Sequence, residues 1–274
     1  MAIKSRFAKP NKYAKPNGNG EWLKITFLAV FIVSVLGGVG YYLYTKPKSA
    51  DKASLCPADG PLGHVVVLVD NTDPYSFIQR QAFVQALGSL TDQVVPEGHL
   101  LSVFALGEDY QKNAEPIFEK CNPGTSDEKS ELTANLKRID KRFNESFREP
   151  VLKLEDVLMA QEPAKYSPVF EMIQLASING FRAHKVKGPK KLIIFSDMLP
   201  NTESFSMFKG VPEFKSFSAT AYGEHSKTDL SGVKVELHYL MKYPKLQTMK
   251  QLKFWEDYFE NTGARLTRVQ TMEG

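Results

Sequence analysis

The stretch that decides the fold is His64-Val-Val-Val-Leu-Val-Asp70, followed at once by Asn71-Thr72-Asp73-Pro74. Residues 65–69 are all apolar, so this segment has no polar face to turn toward water. A strand of that kind must be covered on both sides, which is the position of a central strand in a parallel sheet between helical layers. The Asn71–Pro74 tetrapeptide breaks the strand. Apolar residues then recur at helical spacing, at Phe77, Phe83, Val84, Leu87 and Leu90.

The same alternation continues along the chain. Residues 100–106 (LLSVFAL) read as a second strand, ended by Gly107, and residues 116–119 as a short third one before the turn Cys121-Asn122-Pro123-Gly124. Leu132, Leu136, Ile139, Phe143 and Phe147 step by 4, 3, 4 and 4 within the charged segment 127–160, the pattern of an amphipathic helix with one apolar stripe. Val151, Leu154 and Leu158 extend it after Pro150. Tyr166-Ser167-Pro168 opens another helix, with Ser167 suited to the N-cap and Pro168 to the first turn, and with Phe170, Ile173 and Ser177 on one side. Residues 191–197 (KLIIFSD) are a second buried strand ending in aspartate, and residues 233–240 (VKVELHYL) a further strand. Leu252, Trp255, Phe259 and Thr262 mark the last helix, stopped by Gly263, before a closing strand at 265–270. Strands alternating with helices predict an α/β domain: a doubly wound, mostly parallel sheet with helices on both faces and the short third strand as an antiparallel edge. Residues 212–228 lack periodicity. They read either as a mobile loop near Asp197 that meets a partner, or as a surface loop with Phe214, Phe217 and Tyr222 packed down.

Ahead of this domain, residues 25–44 carry no charge at all, and about 20 apolar residues are needed for a helix to span the hydrocarbon core. Trp22 stands at one end and Tyr41, Tyr42 and Tyr44 at the other, as aromatic rings do at membrane interfaces. Lys24 and Lys46 close the run. Six Lys or Arg precede it, while Lys46, Lys48 and Lys52 follow, so the basic bias places the N-terminus in the cytoplasm. The expected organisation is a basic tail over 1–24, a transmembrane helix over 25–44, a linker over 45–62 and an exported domain over 63–274. The alternative is a cleaved secretory signal, whose apolar core is only about 7–15 residues and ends at small residues; here the run is longer and ends in tyrosines. Gly37, Gly38 and Gly40 either admit close helix packing or are tolerated filler.

Composition narrows the function classes. With 42% hydrophobic and 24% charged residues the chain is not a disordered one. Its net charge of +4 belongs to the tail: residues 1–24 hold six cations and one acid, which leaves residues 25–274 near −1. A nucleic-acid partner, which needs a basic domain, is not predicted. The only cysteines, Cys56 and Cys121, both fall in the exported part. There they are expected to pair, two buried thiols being the alternative. No C-x-x-C occurs and the five histidines are scattered, so a structural zinc site is not predicted. One glycosylation triplet, Asn144-Glu145-Ser146, fits a bacterial inner membrane with a periplasmic domain better than a eukaryotic type II protein.

Two strands end in aspartate at the sheet edge where open α/β folds bind ligands, at Asp70 and Asp197. Thr72 follows the first, and Ser167 opens a helix on the same edge. This ordered set, Asp-x-Thr-x-Pro after a strand, a loop serine before a helix and Phe-Ser-Asp at the end of another strand, resembles the von Willebrand factor A domain over residues 63–270. The resemblance implies a metal-ion-dependent adhesion site in which Asp70, Thr72, Ser167 and Asp197 hold Mg2+ and a partner protein supplies a carboxylate. Pro74 stands where that site has a second serine, with Asp73 or Ser76 as candidate substitutes out of register. The resemblance therefore implies a protein-binding module acting in an envelope complex. The alternatives are a metal-independent scaffold that assembles through the charged helix and the anchor, or a phosphatase-like hydrolase. The hydrolase reading is weakened by threonine at 72, where haloacid dehalogenase-type enzymes need aspartate, and by the lack of a G-x-S-x-G or Walker motif.

Overall fold

A computed structural model describes residues 18–45, 50–107, 114–127, 129–130, 135–159 and 164–274. Leu132, Lys46, Lys48 and the tail up to residue 17 lie outside them. The chain divides into two units, Met1–Lys48 and Ser49–Gly274.

The first unit contains helix α1, Gly18–Thr45. Its segment Trp22–Tyr42, with mean hydropathy 2.1, is long and apolar enough to cross a membrane. The one hydroxyl in its first turns is satisfied locally, because Thr26 donates to the carbonyls of Trp22 and Leu23 (3.0 and 2.9 Å). A spanning helix needs such internal pairing where no water is present.

The second unit is the predicted α/β domain. Its strands are β1 His64–Asp70, β2 Leu100–Leu106, β3 Phe118–Cys121, β4 Lys190–Ser196, β5 Val233–Leu240 and β6 Arg265–Met272. They form one sheet in the order β3-β2-β1-β4-β5-β6. Every pairing is parallel except β2 with β3, so the short third strand is the antiparallel edge, running two residues further along than its sequence pattern suggests. β1 lies at the centre with all seven residues buried. Its alternate side chains feed two cores. Val66 and Leu68 join Phe170, Ile173, Leu192, Val235, Leu237, Trp255 and Phe259 on one face, and Val65, Val67 and Val69 join Phe83, Leu87, Phe143, Phe147 and Val151 on the other. Each such side chain contributes roughly 1.5–3 kcal/mol by leaving water.

The helices follow their caps. α2, Phe77–Ser89, starts at Ser76, whose hydroxyl accepts from the N–H of Gln79 while the Gln79 side chain accepts from the Ser76 N–H, a reciprocal capping box. Gln79 is itself buried, and its amide donates to the carbonyls of Met241 and Met272, tying α2 to the exits of β5 and β6. Phe77, expected on the apolar stripe, is instead 74% exposed, and Gln79, Phe83 and Leu87 are the residues of α2 that are buried. α3, Leu136–Phe143, runs through a wider turn into α4, Glu149–Leu152, and α5, Leu154–Leu158; Pro150 sits near the start of α4, where its missing N–H costs least. α6, Val169–Leu175, crosses the opposite face. Residues 212–228 are not a loop throughout: they form α7, Phe214–Ser218, and α8, Ala221–His225. Phe217 is buried there, stacked on Phe170 at 5.0 Å. The strongest aromatic packing of the domain therefore draws in a segment whose short helices leave no periodic trace. α9, Met249–Asn261, ends before Gly263, which takes the left-handed φ of +79°.

Cys56 and Cys121 form a disulfide. It ties the segment entering the domain to β3, and the Cys121 N–H donates to the Ser54 carbonyl beside it (2.8 Å). Residues 50–62, expected as linker, therefore pack on the domain, with Leu55 and Cys56 buried.

Candidate functional site

Three loops meet at the C-terminal ends of β1 and β4. The first follows β1. Asp70 turns back on its own loop, where Oδ1 accepts the N–H and the hydroxyl of Thr72 (3.0 and 2.6 Å), an aspartate-centred turn. Its Oδ2 accepts the hydroxyl of Ser196 from the end of β4 (2.7 Å). Asp70 does not cap α2, since Ser76 does.

The second loop precedes α6, and here the sequence expectation needs correction. Ser167 does not cap the helix: α6 begins at Val169, Pro168 occupies the cap, and no side-chain capping bond forms. The backbone of Ser167 instead exchanges two hydrogen bonds with Asn201 (2.8 and 3.0 Å), a small bridge to the loop after β4. Its hydroxyl oxygen is buried and has no hydrogen-bond partner among the described residues. Orphaned buried polar atoms are uncommon because desolvation without a partner costs about 1–3 kcal/mol.

The third loop leaves β4 through Ser196 and Asp197. Met198 is held at a positive φ of +57°, a conformation that costs a non-glycine residue about 1–3 kcal/mol. Its surroundings impose it: the Met198 N–H donates to the Ser196 hydroxyl (2.8 Å), and its carbonyl accepts from Gln251 (2.7 Å) and from the Trp255 indole (2.9 Å). Gln247 and Gln251 also donate to the Asp197 carbonyl. The loops are stitched to one another as well, the Ala164 N–H donating to the Thr72 carbonyl (2.8 Å).

Thr72, Asp73, Ser167, Asp197, Asn201 and Tyr243 line one cavity of about 200 Å³. Three of the four predicted ligands, Thr72, Ser167 and Asp197, thus share a cavity. Asp70 stands behind them with both oxygens engaged. Of the two residues considered in place of the missing serine at 74, Ser76 is used up as the helix cap, whereas Asp73 reaches the cavity wall. Asp197 is 6% exposed. Burial and the nearby charge of Asp70 push its carboxyl up to about 8, with the Lys242 ammonium opposing. Lys242 donates to the Asp73 carbonyl (3.1 Å) and lies 5.3 Å above the Tyr75 ring. Burial, then Asp73 and Asp197, raise the Tyr243 hydroxyl.

Among the described residues no cluster of three or more His, Cys, Asp or Glu is placed to hold a metal, so a cation here depends on hydroxyl oxygens. The donor set still fits one. Mg2+ takes about six oxygens and keeps several waters. The cavity supplies two hydroxyls, one of them orphaned, and the Asp197 carboxyl, whose proton a bound cation would displace. Asn201, Lys242, Tyr243 and Gln251 were not among the residues the sequence pointed to, and none carries a local motif.

No protein-family model and no curated protein matches this chain. Solved structures are similar to it, among them the following three. The VWA domain of SpRpn10 shares 8% identity over 77% of this chain and 88% of that one, with a TM-score of 0.35. An aerotolerance-related membrane protein from Bacteroides fragilis shares 10% over 76% and 90%, at 0.35. The human COPII-coat protein Sec24c shares 12% over 82% of this chain and 32% of its own, at 0.36. The fold itself is a mostly parallel six-stranded sheet with one antiparallel edge and with three loops converging beyond β1 and β4.

Proposed function

We propose that this chain is a membrane-anchored, extracytoplasmic protein-binding module and a component of a membrane-associated complex. Its partner is engaged at the cleft between Asp70 and Asp197. The observation that carries this reading is the buried, unpartnered hydroxyl oxygen of Ser167 in the cavity shared by Thr72 and Asp197. A bound Mg2+ would supply the positive charge that receives a carboxylate of the partner. Thr72, Ser167 and Asp197 would hold it, with Asp73 beside them where Pro74 offers no oxygen. Asp70 orients Thr72 and Ser196 and adds negative charge. The setting that fits is a bacterial inner membrane with the N-terminus cytoplasmic, from the basic bias around residues 25–44.

A second reading, a metal-independent scaffold, is favoured by one feature: both Asp70 oxygens are already satisfied by Thr72 and Ser196. The same feature counts against a hydrolase, because a nucleophilic aspartate needs a free oxygen facing substrate, and Asp70 is 4% exposed. The deciding experiment is mild cross-linking and co-purification of the full-length chain from membranes, with Mg2+ or with chelator, for the natural protein, Ser167→Ala and Asp197→Asn. A partner recovered only with Mg2+ and lost in both variants supports the module with metal. The same partner recovered under all conditions supports the scaffold, and no partner at all removes both readings.

A further inference from the structure

The two ends of the strands differ in charge. At the C-terminal ends Asp70, Asp73 and Asp197 stand with Lys165 and Lys242, whereas the loop entering β4 at the opposite end, residues 183–191, holds four lysines and no acid. Strand register adds to them. Lys191 stands opposite Lys234, and Lys234 opposite Arg265, so three cations sit side by side on one sheet face across β4, β5 and β6. Like charges directly opposite one another destabilise a sheet. Few acids answer them. Glu236 takes Lys191 (3.3 Å) and Arg268 (3.2 Å), Glu119 takes His184 (3.0 Å), and Asp229 lies near Lys190. Lys185, Lys187, Lys234 and Arg265 are exposed and have no ion pair among the described residues.

The polypeptide also enters the domain at this rim. The His64 N–H donates to the Pro189 carbonyl (2.9 Å). Gly188 lies so close to the Leu62 carbonyl that a Cβ there would stand 1.7 Å from it. The lysine loop therefore packs against the segment that leads back toward Trp22–Tyr42.

We propose that this cationic rim, centred on Lys185, Lys187, Lys190, Lys191, Lys234 and Arg265, binds the anionic headgroups of a bilayer such as the one Trp22–Tyr42 is long and apolar enough to cross. The ligand chemistry is a layer of phosphodiesters rather than one phosphate, because the cations span three strands and a loop. Tethering holds the rim near that layer without further affinity, and each Lys or Arg close to an anionic surface adds attraction. The inference rests on the anchor of the proposed function and is independent of the metal cleft.

The test is acetylation footprinting of the full-length chain in nanodiscs of phosphatidylcholine alone or with phosphatidylglycerol, read by mass spectrometry lysine by lysine. With phosphatidylglycerol, labelling of Lys185, Lys187, Lys190 and Lys234 should fall by about fivefold or more, the factor expected of one cation at an anionic surface. Lys245 and Lys250, which follow β5 at the other edge, should be unchanged. The protection should disappear near 1 M salt, where screening acts within about 3 Å. Equal labelling in the two discs overturns the inference with the anchor left standing. Protection produced in neutral discs by added polyglutamate, but not by phosphatidylglycerol, overturns it in favour of an acidic protein. Failure of the chain to enter either disc removes the anchor and this inference together.

Discussion

The hydroxyl of Ser196 donates to Oδ2 of Asp70 at 2.7 Å, across 126 positions of sequence. This single bond joins the exits of the two central strands and fills the last free oxygen of Asp70. It makes Ser196 the partner of the buried carboxylate from the β4 side. Removing it should be costly: Ser196→Ala leaves a buried carboxylate oxygen unpaired and the Met198 N–H without its acceptor. A loss of about 1–3 kcal/mol is expected, read from denaturant unfolding.

Ser167→Ala is the opposite case. The hydroxyl has no partner to lose, so stability without metal should be unchanged or slightly raised, within about 0.5 kcal/mol of the natural chain. Any rise in Tm on adding Mg2+ should shrink in this variant. An equal Mg2+ response in both proteins would take Ser167 out of the site.

Asp197 gives the site a pH dependence. Its carboxyl is raised from the ordinary value to about 8, by burial first and then by Asp70. The folded state therefore holds a proton that the unfolded chain releases. Its contribution to stability is full below about pH 4 and is lost as pH rises through about 8. Asp197→Asn should flatten that decline, so that the variant exceeds the natural chain in Tm above pH 8. Thermal melts from pH 5 to 9 in the presence of chelator check this, and parallel curves would mean that Asp197 is ionised throughout.

His64 reports the other end of the sheet. It is fully buried, and burial, the His184 charge and Lys190 lower its imidazolium to about 3. Its contribution is full above about pH 6.5 and lost as pH falls toward 3, because the unfolded chain binds a proton that the folded one refuses. In an NMR titration its ring resonances should stay constant from pH 8 to 5. A His64 midpoint near 6.5 would contradict the packing described for it.

The disulfide encloses a separation of 65 residues. Its reduction should lower stability by about 2–4 kcal/mol by releasing the unfolded chain from that constraint. Comparing melts with and without reductant, alongside a Cys56→Ser/Cys121→Ser double variant, separates this loss from effects of the reagent.

Much of this protein was determined locally. The uncharged run at 25–44, the two-sided apolar strand 64–70 and the helical spacing of Trp255 and Phe259 each encode their element within a few residues, since strand and helix periods of burial are written directly in side-chain order. Asp70, Thr72 and Asp197 were legible for the same reason: each lies at a strand exit. What the sequence could not contain were the crossings. Ser167 reads as a helix cap from its neighbours and became an orphaned cavity group only because Asn201 captured its backbone. Phe217 was drawn into the core by Phe170, and Lys191, Lys234 and Arg265 became neighbours only through strand register. These relationships join residues tens of positions apart, and their free energy arises only when the sheet closes, so local propensity leaves no trace of them.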